Sequence, residues 1–246
     1  MDLLLLFAAG SATALATGLG ALPVAWLGQR AHDLRPAMWG LTVGLMTVAS
    51  IVGLLLPALD EGSPASVTGG LAVGAAFLLV TRRLLRSYEG SVAGIRGAGV
   101  RRALLVFVVL LVHSFPEGLA IGTAYASDTE GLSLFVILAI GLQNVPEGTS
   151  VAIPMDAAGF SVARQFWAAV LTSVPQPVGA VGAFLLVEQL QSLLPFSFGF
   201  AAGAMLAIVC LELAPETFAR GHRLQGAAGA LAGAALMLAL AAVLGV

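Results

Sequence analysis

The sequence predicts an all-α integral membrane protein with eight transmembrane helices, and its composition is the first reason. Of the 246 residues, 59% are hydrophobic and only 10% are charged, whereas a soluble domain carries about 25% charged residues. Because so few charges cannot cover a water-facing surface, we expect the chain to be surrounded by lipid. Its 30 glycines fit closely packed membrane helices, in which small residues let backbones approach. We expect one transmembrane domain over residues 1–246, with the lipid bilayer and not nucleic acid as its partner.

The second reason is the spacing of the apolar runs. A bilayer core needs about 20 apolar residues per helix, and eight runs of that order follow one another along the chain. The first run has no basic segment before it, which predicts a retained helix rather than a cleaved signal. The predicted spans, numbered one to eight, are Leu3–Leu27, Ala37–Leu59, Ser66–Arg86, Arg102–Tyr125, Gly131–Pro154, Arg164–Glu188, Leu193–Pro215 and Leu224–Val246.

The distribution of arginine supports both the number of spans and an orientation. The chain has no lysine, and its 11 basic residues all lie in the first, third, fifth and seventh connections. The other connections carry only acidic charges. The positive-inside rule then places the odd connections in the cytoplasm and both termini outside, in the inner (plasma) membrane of the cell. The arginines are Arg30, Arg35, Arg82, Arg83, Arg86, Arg96, Arg101, Arg102, Arg164, Arg220 and Arg223.

Spans two and seven carry similar sequences. Each opens on Gly-x-x-x-Gly with a methionine two residues later, and each ends near a proline and an acidic residue. Their positions in the order of spans differ by five, an odd number, so the copies would cross the membrane in opposite directions. This predicts an inverted repeat in a 3+2+3 arrangement, which is common in secondary transporters. The alternative is that the pattern recurs by chance. The residues concerned are Gly40, Gly44, Met46, Gly199, Gly203 and Met205.

Two glutamates lie where charge is expensive. Glu117 is near the centre of span four and Glu147 is near the centre of span five. An ionised carboxylate at that depth costs about 2.5–3.5 kcal/mol on insertion scales. No lysine or arginine lies in the interior of a span, so the sequence offers no protein cation to neutralise them. They are therefore protonated or bind a cation, and one divalent ion would neutralise both.

The residues around the two glutamates favour a metal ion. His113 precedes Glu117 by four residues and Gln143 precedes Glu147 by four, so each pair shares a helix face. Imidazole, carboxylate and amide ligands suit Zn²⁺, Cd²⁺, Fe²⁺ or Mn²⁺, whereas Ca²⁺ prefers oxygen alone. The alternatives are that each Pro-Glu-Gly is only a kink with a protonated glutamate, and that His113 is a buried hydrogen-bonding residue.

The prolines and the single cysteine add two further expectations. Pro116 and Pro146 each remove a backbone N–H within a span, which predicts helix kinks that free carbonyl oxygens. The glycines that follow are expected to loosen the turn. Cys210 is the single cysteine of the chain, which excludes an intrachain disulfide and the cysteine-rich metal sites.

These segments resemble the ZIP (Zrt-, Irt-like protein) family of divalent metal transporters, in its bacterial form. The stretches His113–Gly118 and Gln143–Gly148 match the paired signatures of the family's fourth and fifth helices. Ala16–Pro23 is similar to its first helix, and Gly199–Met205 with Leu211–Glu216 is similar to its seventh. The resemblance implies a metal site, between helices four and five, formed by His113, Glu117, Gln143 and Glu147.

The chain departs from the family pattern at a second, adjacent metal site. The resemblance implies Asn on helix four, Asn or Asp on helix five and Glu on helix six, and this sequence has Ser114, Asn144 and Gln176 there. We therefore expect one well-bound metal and a weak or empty second site, with these three residues giving at most neutral oxygens. Glu212 and Glu216, four residues apart near the cytoplasmic end of span seven, are candidates for an exit relay. A hydrated interfacial pair is an equal alternative for Glu216.

The mechanism that the resemblance implies is uptake of zinc, or of cadmium, iron or manganese, into the cytoplasm by an elevator-type movement. A bundle of helices one, four, five and six would carry the metal past a scaffold of helices two, three, seven and eight. The metal is then the transported substrate, and no catalytic cofactor is expected. The Gly-x-x-x-Gly runs of spans two and seven would be close contacts inside the scaffold or the face of a homodimer.

Two other classes of function fit parts of the pattern. An intramembrane metalloenzyme would also bury histidine and glutamate, but it needs an open coordination position and a general base. The sequence has no His-Glu-x-x-His, and the other histidines, His32 and His222, fall in connections. A proton-coupled carrier could use Glu117 and Glu147 as proton relays. It does not account for His113 and Gln143 on the same helix faces.

Overall fold

All eight predicted spans are confirmed. The computed structural model describes residues 2–88, 98–219 and 221–246, and it describes the side chains of these residues except those of residues 29, 85–88 and 98–106. Arg96 and Arg220, which contribute to the predicted orientation, lie outside the described residues. The helices long and apolar enough to cross a membrane are Leu3–Leu27, Arg30–Glu61, Pro64–Leu84, Phe107–Ala126, Leu132–Ala157, Val162–Gln189, Gln191–Thr217 and Arg223–Leu244.

Spans three, four, five and eight are continuous helices, and the other four are interrupted. The continuous ones are Pro64–Tyr88, Ala98–Ala126, Leu132–Ala157 and Arg223–Leu244. Span one consists of Leu3–Leu19 and Ala21–Leu27, and span six of Val162–Thr172 and Pro175–Gln189. Span two consists of the α-helix Gln29–Ser50, the π-helix Ile51–Leu55 and the α-helix Leu56–Glu61. Span seven begins with the 3₁₀ turn Gln191–Leu193 and continues as the α-helix Leu194–Ile208, the π-helix Val209–Leu213 and the α-helix Ala214–Thr217.

The two π-helices occupy equivalent places in spans two and seven. Leu56 and Ala214, each directly before a proline, donate their backbone N–H to a carbonyl five residues back, on Ile51 and Val209 respectively. A proline cannot donate the next bond of an α-helix, and widening the preceding turn accommodates the loss. The sequence predicted a proline and an acid at these ends but not the π turns. By contrast, the helices of spans four and five run through Pro116 and Pro146 without a break.

Glycines let the backbones of the four proposed scaffold helices touch in two pairs. A Cβ added to Gly40 or Gly44 of span two would lie 2.1 Å from a backbone oxygen of span eight. A Cβ on Gly199 or Gly203 of span seven would lie 2.4 Å or 2.1 Å from a backbone oxygen of span three. In an inverted repeat, span two corresponds to span seven and span three corresponds to span eight. The contact between spans two and eight then corresponds to the contact between spans seven and three. This supports the inverted repeat, which stays a prediction.

The same contacts correct one expectation about assembly. Gly40, Gly44, Gly199 and Gly203 are all buried between helices of this chain. They are therefore unavailable as the face of a homodimer, because their free side is already filled by spans eight and three.

Close backbone contacts also join the helices that carry the candidate site. A Cβ on Gly118 of span four would lie 2.4 Å from the carbonyl oxygen of Gln176 on span six. A Cβ on Gly148 of span five would lie 1.8 Å from the carbonyl oxygen of Thr17 on span one. The glycine of each Pro-Glu-Gly therefore serves packing, since only a residue without a side chain permits this approach. The packing holds spans four and six together, and spans five and one.

Candidate metal site

The carboxylate of Glu117 is buried completely and is held by two side-chain amides. Nε2 of Gln143 donates a hydrogen bond of 2.8 Å to Oε1, and Nε2 of Gln176 donates one of 2.6 Å to Oε2. Glu117 itself has no solvent exposure. An ionised carboxylate accepts hydrogen bonds and donates none, so two amide donors fit the ionised form.

The orientation of the amides is fixed by a backbone carbonyl of span one. Nδ2 of Asn144 donates to the carbonyl oxygen of Thr13 at 2.7 Å and to Oε1 of Gln176 at 3.0 Å. A carbonyl can only accept, so the atom of Asn144 that faces it must be nitrogen. Oε1 of Gln176 must then accept, which leaves the Gln176 nitrogen to face Glu117. The chain of bonds runs from span one through spans five and six to the carboxylate on span four.

This arrangement differs from the expectation for Gln176. We expected Ser114, Asn144 and Gln176 to offer at most neutral oxygens to a second metal. The oxygen of Gln176 is instead engaged by Asn144 and by the hydroxyl of Thr13 at 2.8 Å, and the side chain presents an N–H to Glu117. Ser114 is buried on the same helix as Glu117, and within the described residues no hydrogen bond connects it to this network.

Three buried oxygens on span five accept no hydrogen bond from the described residues. They are Oε1 of Gln143, Oδ1 of Asn144 and Oε2 of Glu147. A buried polar atom left without a partner costs about 1–3 kcal/mol, and these three lie within five consecutive residues of one helix. All are oxygens of the kind that coordinates metal ions. The donor set on this helix therefore fits a cation.

His113 contacts a residue that the sequence placed elsewhere. Its Nε2 lies 3.0 Å from Oε2 of Glu212, and Oε1 of Glu212 lies 3.9 Å from Nε of Arg82. His113 is buried, and Glu212 stands in the π-helix of span seven. Glu212, predicted for an exit relay, therefore lies beside a predicted metal ligand, whereas Glu216 is exposed.

The four predicted ligands are not gathered into a finished coordination sphere. Glu117 and Gln143 are in direct contact, but His113 faces Glu212, and Oε2 of Glu147 has no hydrogen-bond partner among the described residues. In the part of the chain that the structure describes, no three His, Cys, Asp or Glu side chains are placed to hold a metal ion. Binding at these four residues would require side-chain rotation, and their role as ligands stays a prediction.

Comparison with known proteins decides the family. The model of the ZIP zinc transporter family matches residues 86–241, which include both Pro-Glu-Gly segments. This chain belongs to the ZIP family. ZIP proteins similar to it include the zinc transporter GufA of Myxococcus xanthus, with 35% identity over 242 residues that cover 94% of this chain and 95% of that one. The zinc transporter ZIPB of Bordetella bronchiseptica has 35% identity over 249 residues, covering 96% and 80%.

Some ZIP relatives are much longer than this chain. A putative zinc transporter of Arabidopsis thaliana is 36% identical over 237 residues, which cover 93% of this chain but only 37% of the plant protein. Together with the eight apolar helices, membership of the ZIP family identifies a multi-pass membrane protein of a transporter family and not an enzyme. The metalloenzyme alternative is therefore excluded.

Proposed function

We propose that this ZIP protein transports divalent transition-metal ions, with zinc as the first substrate, through a site on spans four and five. The observation that carries the proposal is a group of three oxygens that accept no hydrogen bond from the described residues, on Gln143, Asn144 and Glu147. They lie on span five, which contacts the Glu117 carboxylate of span four through Gln143. His113, Glu117, Gln143 and Glu147 are the proposed ligands. The zinc transporters named among its relatives support zinc, and the mixed nitrogen and oxygen ligands also suit Cd²⁺, Fe²⁺ and Mn²⁺.

The test is ion flux into proteoliposomes that contain the purified protein. We expect saturable uptake of Zn²⁺ and of at least one of Cd²⁺, Fe²⁺ and Mn²⁺, and no uptake of Mg²⁺, which dehydrates reluctantly and prefers oxygen ligands in an octahedron. Protein-free liposomes give the background. Uptake no faster than that background for every ion would contradict the proposal and favour a proton-coupled carrier of another substrate.

The proposed movement is an elevator in which spans one, four, five and six slide against spans two, three, seven and eight. Wherever a helical glycine of the described residues meets the backbone of another helix, both helices belong to the same one of these groups. Side chains, both polar and apolar, join the groups instead: Nε1 of Trp39 donates to Oγ of Ser150 at 2.8 Å, and the ring centroids of Phe77 and Phe115 lie 6.1 Å apart. Interlocked backbones within a group, and side-chain contacts between groups, suit such a movement.

The charge pattern supports an orientation of the chain in the membrane, and the inward direction of transport is what the resemblance to the ZIP family implies. We propose that both termini lie outside, that the arginine-bearing connections face the cytoplasm, and that ions move inward across the inner membrane. A homodimer, if formed, would use a surface other than the four scaffold glycines, which are buried within the chain.

We further propose that the site holds one ion, because the Gln176 amide already satisfies the side of Glu117 where a second ion would bind. Gln176→Glu is expected to raise the stoichiometry of bound Cd²⁺ from one to two ions per chain. The substitution replaces an N–H donor 2.6 Å from Oε2 of Glu117 by a carboxylate oxygen, and two carboxylates at that separation need a shared proton or cation.

Isothermal titration of the purified variant with Cd²⁺ measures this stoichiometry. Gln189→Glu is the matched control, because it adds the same charge at the exposed end of the same span and is expected to leave one ion bound. Two ions on the unchanged chain, or one ion on Gln176→Glu, would contradict the single-ion proposal.

A further inference from the structure

Ionisable side chains of three helices form a line that leads away from the proposed site. His113 of span four contacts Glu212 of span seven at 3.0 Å, and Glu212 lies 3.9 Å from Arg82 of span three. Exposure rises along the line, from 5% for the His113 side chain to 19% for Glu212 and 31% for Arg82. The line therefore connects the buried ligand with the end of the protein where arginines cluster.

The π-helix of span seven places Glu212 in this line. Residues 209–213 form the wide turn, and Glu212 lies within it. A π turn inserts an extra residue into the helical register, so the side chains that follow the insertion are turned to a different direction. π turns of this kind are frequent at functional sites. Here the turn brings a carboxylate between an imidazole on one helix and a guanidinium on another.

Arg82 is a cation that a metal ion leaving the site would meet. Arginine is a cation in proteins, so Arg82 places a positive charge beside Glu212. A divalent ion that leaves His113 by way of Glu212 approaches the Glu212 carboxylate, which already forms an ion pair with Arg82. The divalent ion and the Arg82 guanidinium repel each other when both lie beside Glu212, and they compete for its carboxylate oxygens.

We propose that Arg82 is a tethered competitor of the transported ion, which limits how tightly Glu212 holds that ion and so favours its release. This inference rests on the proposed function as a divalent cation transporter. Among the ion pairs and hydrogen bonds of the described residues, Arg82 is paired with Glu212 and with no proposed ligand of the central site, so it acts through Glu212. Removal of its charge is therefore expected to strengthen ion binding, whereas a residue that merely held the fold together would weaken it.

The test is equilibrium binding of Cd²⁺ to the purified full-length protein, with Arg82→Gln as the first variant. We expect the apparent affinity to increase about tenfold, within the usual range of coupling between two binding events. Arg82→Lys keeps the charge and is expected to bind as the unchanged chain does. Arg83→Gln removes the same charge at an exposed neighbouring position and is expected to change the affinity less than twofold.

A second substitution shows whether the effect passes through Glu212. In a chain that carries Glu212→Gln, the further change Arg82→Gln is expected to leave the affinity unaltered. The proposal is overturned if Arg82→Gln binds Cd²⁺ no more tightly than the unchanged chain, if Arg83→Gln has an equal effect, or if the gain persists without Glu212. Absence of Cd²⁺ binding by the unchanged chain would instead remove the proposed transport function, which separates the two failures.

Discussion

Replacement of both intramembrane glutamates, Glu117→Gln with Glu147→Gln, is expected to lower saturable zinc flux more than about 100-fold. Loss of residues that only support a metal ligand already costs about 10–100-fold in affinity or activity, and this variant removes both proposed anionic ligands. The change also disturbs the amide network, since a glutamine at position 117 can accept a hydrogen bond at one oxygen only. Flux into proteoliposomes, compared at equal amounts of incorporated protein, measures the loss.

The matched control removes two carboxylates from the ends of the spans. Glu130 and Glu188 are both exposed, so Glu130→Gln with Glu188→Gln removes the same number of carboxylates without reaching the centre of the membrane. We expect this control to retain flux within about twofold, as surface substitutions rarely have large effects. Flux that survives in the Glu117/Glu147 variant would show that the ions cross elsewhere.

The spans and the central glutamates could be predicted because their signals are local. An apolar run of about 20 residues is visible wherever it occurs, and a carboxylate within it is conspicuous because its burial is costly. The four-residue spacing of His113 and Glu117 likewise depends on one helix alone. Each of these inferences needs only the residues of a single segment.

The contacts around the site could not be predicted, because they depend on how distant segments meet. The carbonyl of Thr13 orients Asn144, although the two residues are 131 positions apart in the sequence. Nothing about Thr13 in the sequence predicts this contact. The orientation of Gln176 follows from the same carbonyl, so its N–H, and not its oxygen, faces Glu117. Sequence alone gives the residue type but not which end of an amide points inward.

Glu212 illustrates a different limit. Its position four residues before Glu216 suggested two side chains on one helical face, which holds only for an α-helix. The π turn at 209–213 changes that register, so Glu212 reaches His113 while Glu216 is exposed. Arg82 was assigned to a connection, yet its side chain lies 3.9 Å from the Glu212 carboxylate.

Gly148→Ala is expected to destabilise the protein by about 1–3 kcal/mol, the usual cost of forcing an extra methyl group into a filled space. The added Cβ would lie 1.8 Å from the carbonyl oxygen of Thr17. Because that oxygen belongs to a backbone, spans one and five would have to separate. The midpoint of thermal unfolding in detergent, followed by the loss of the monodisperse peak in size-exclusion chromatography, measures the change.

Gly141→Ala provides the control on the same helix, seven residues earlier. Its Cβ would meet only Cγ2 of Thr13, at an ordinary contact distance of 3.9 Å, and alanine favours a helix over glycine by about 1 kcal/mol. We therefore expect an unfolding midpoint equal to or above that of the unchanged chain. If Gly148 served only to loosen the turn after Pro146, Gly148→Ala would raise the unfolding midpoint as well, because alanine would then stiffen the helix without a clash. Opposite shifts of the two variants would establish that the glycine of the Pro-Glu-Gly segment is needed for contact between spans one and five.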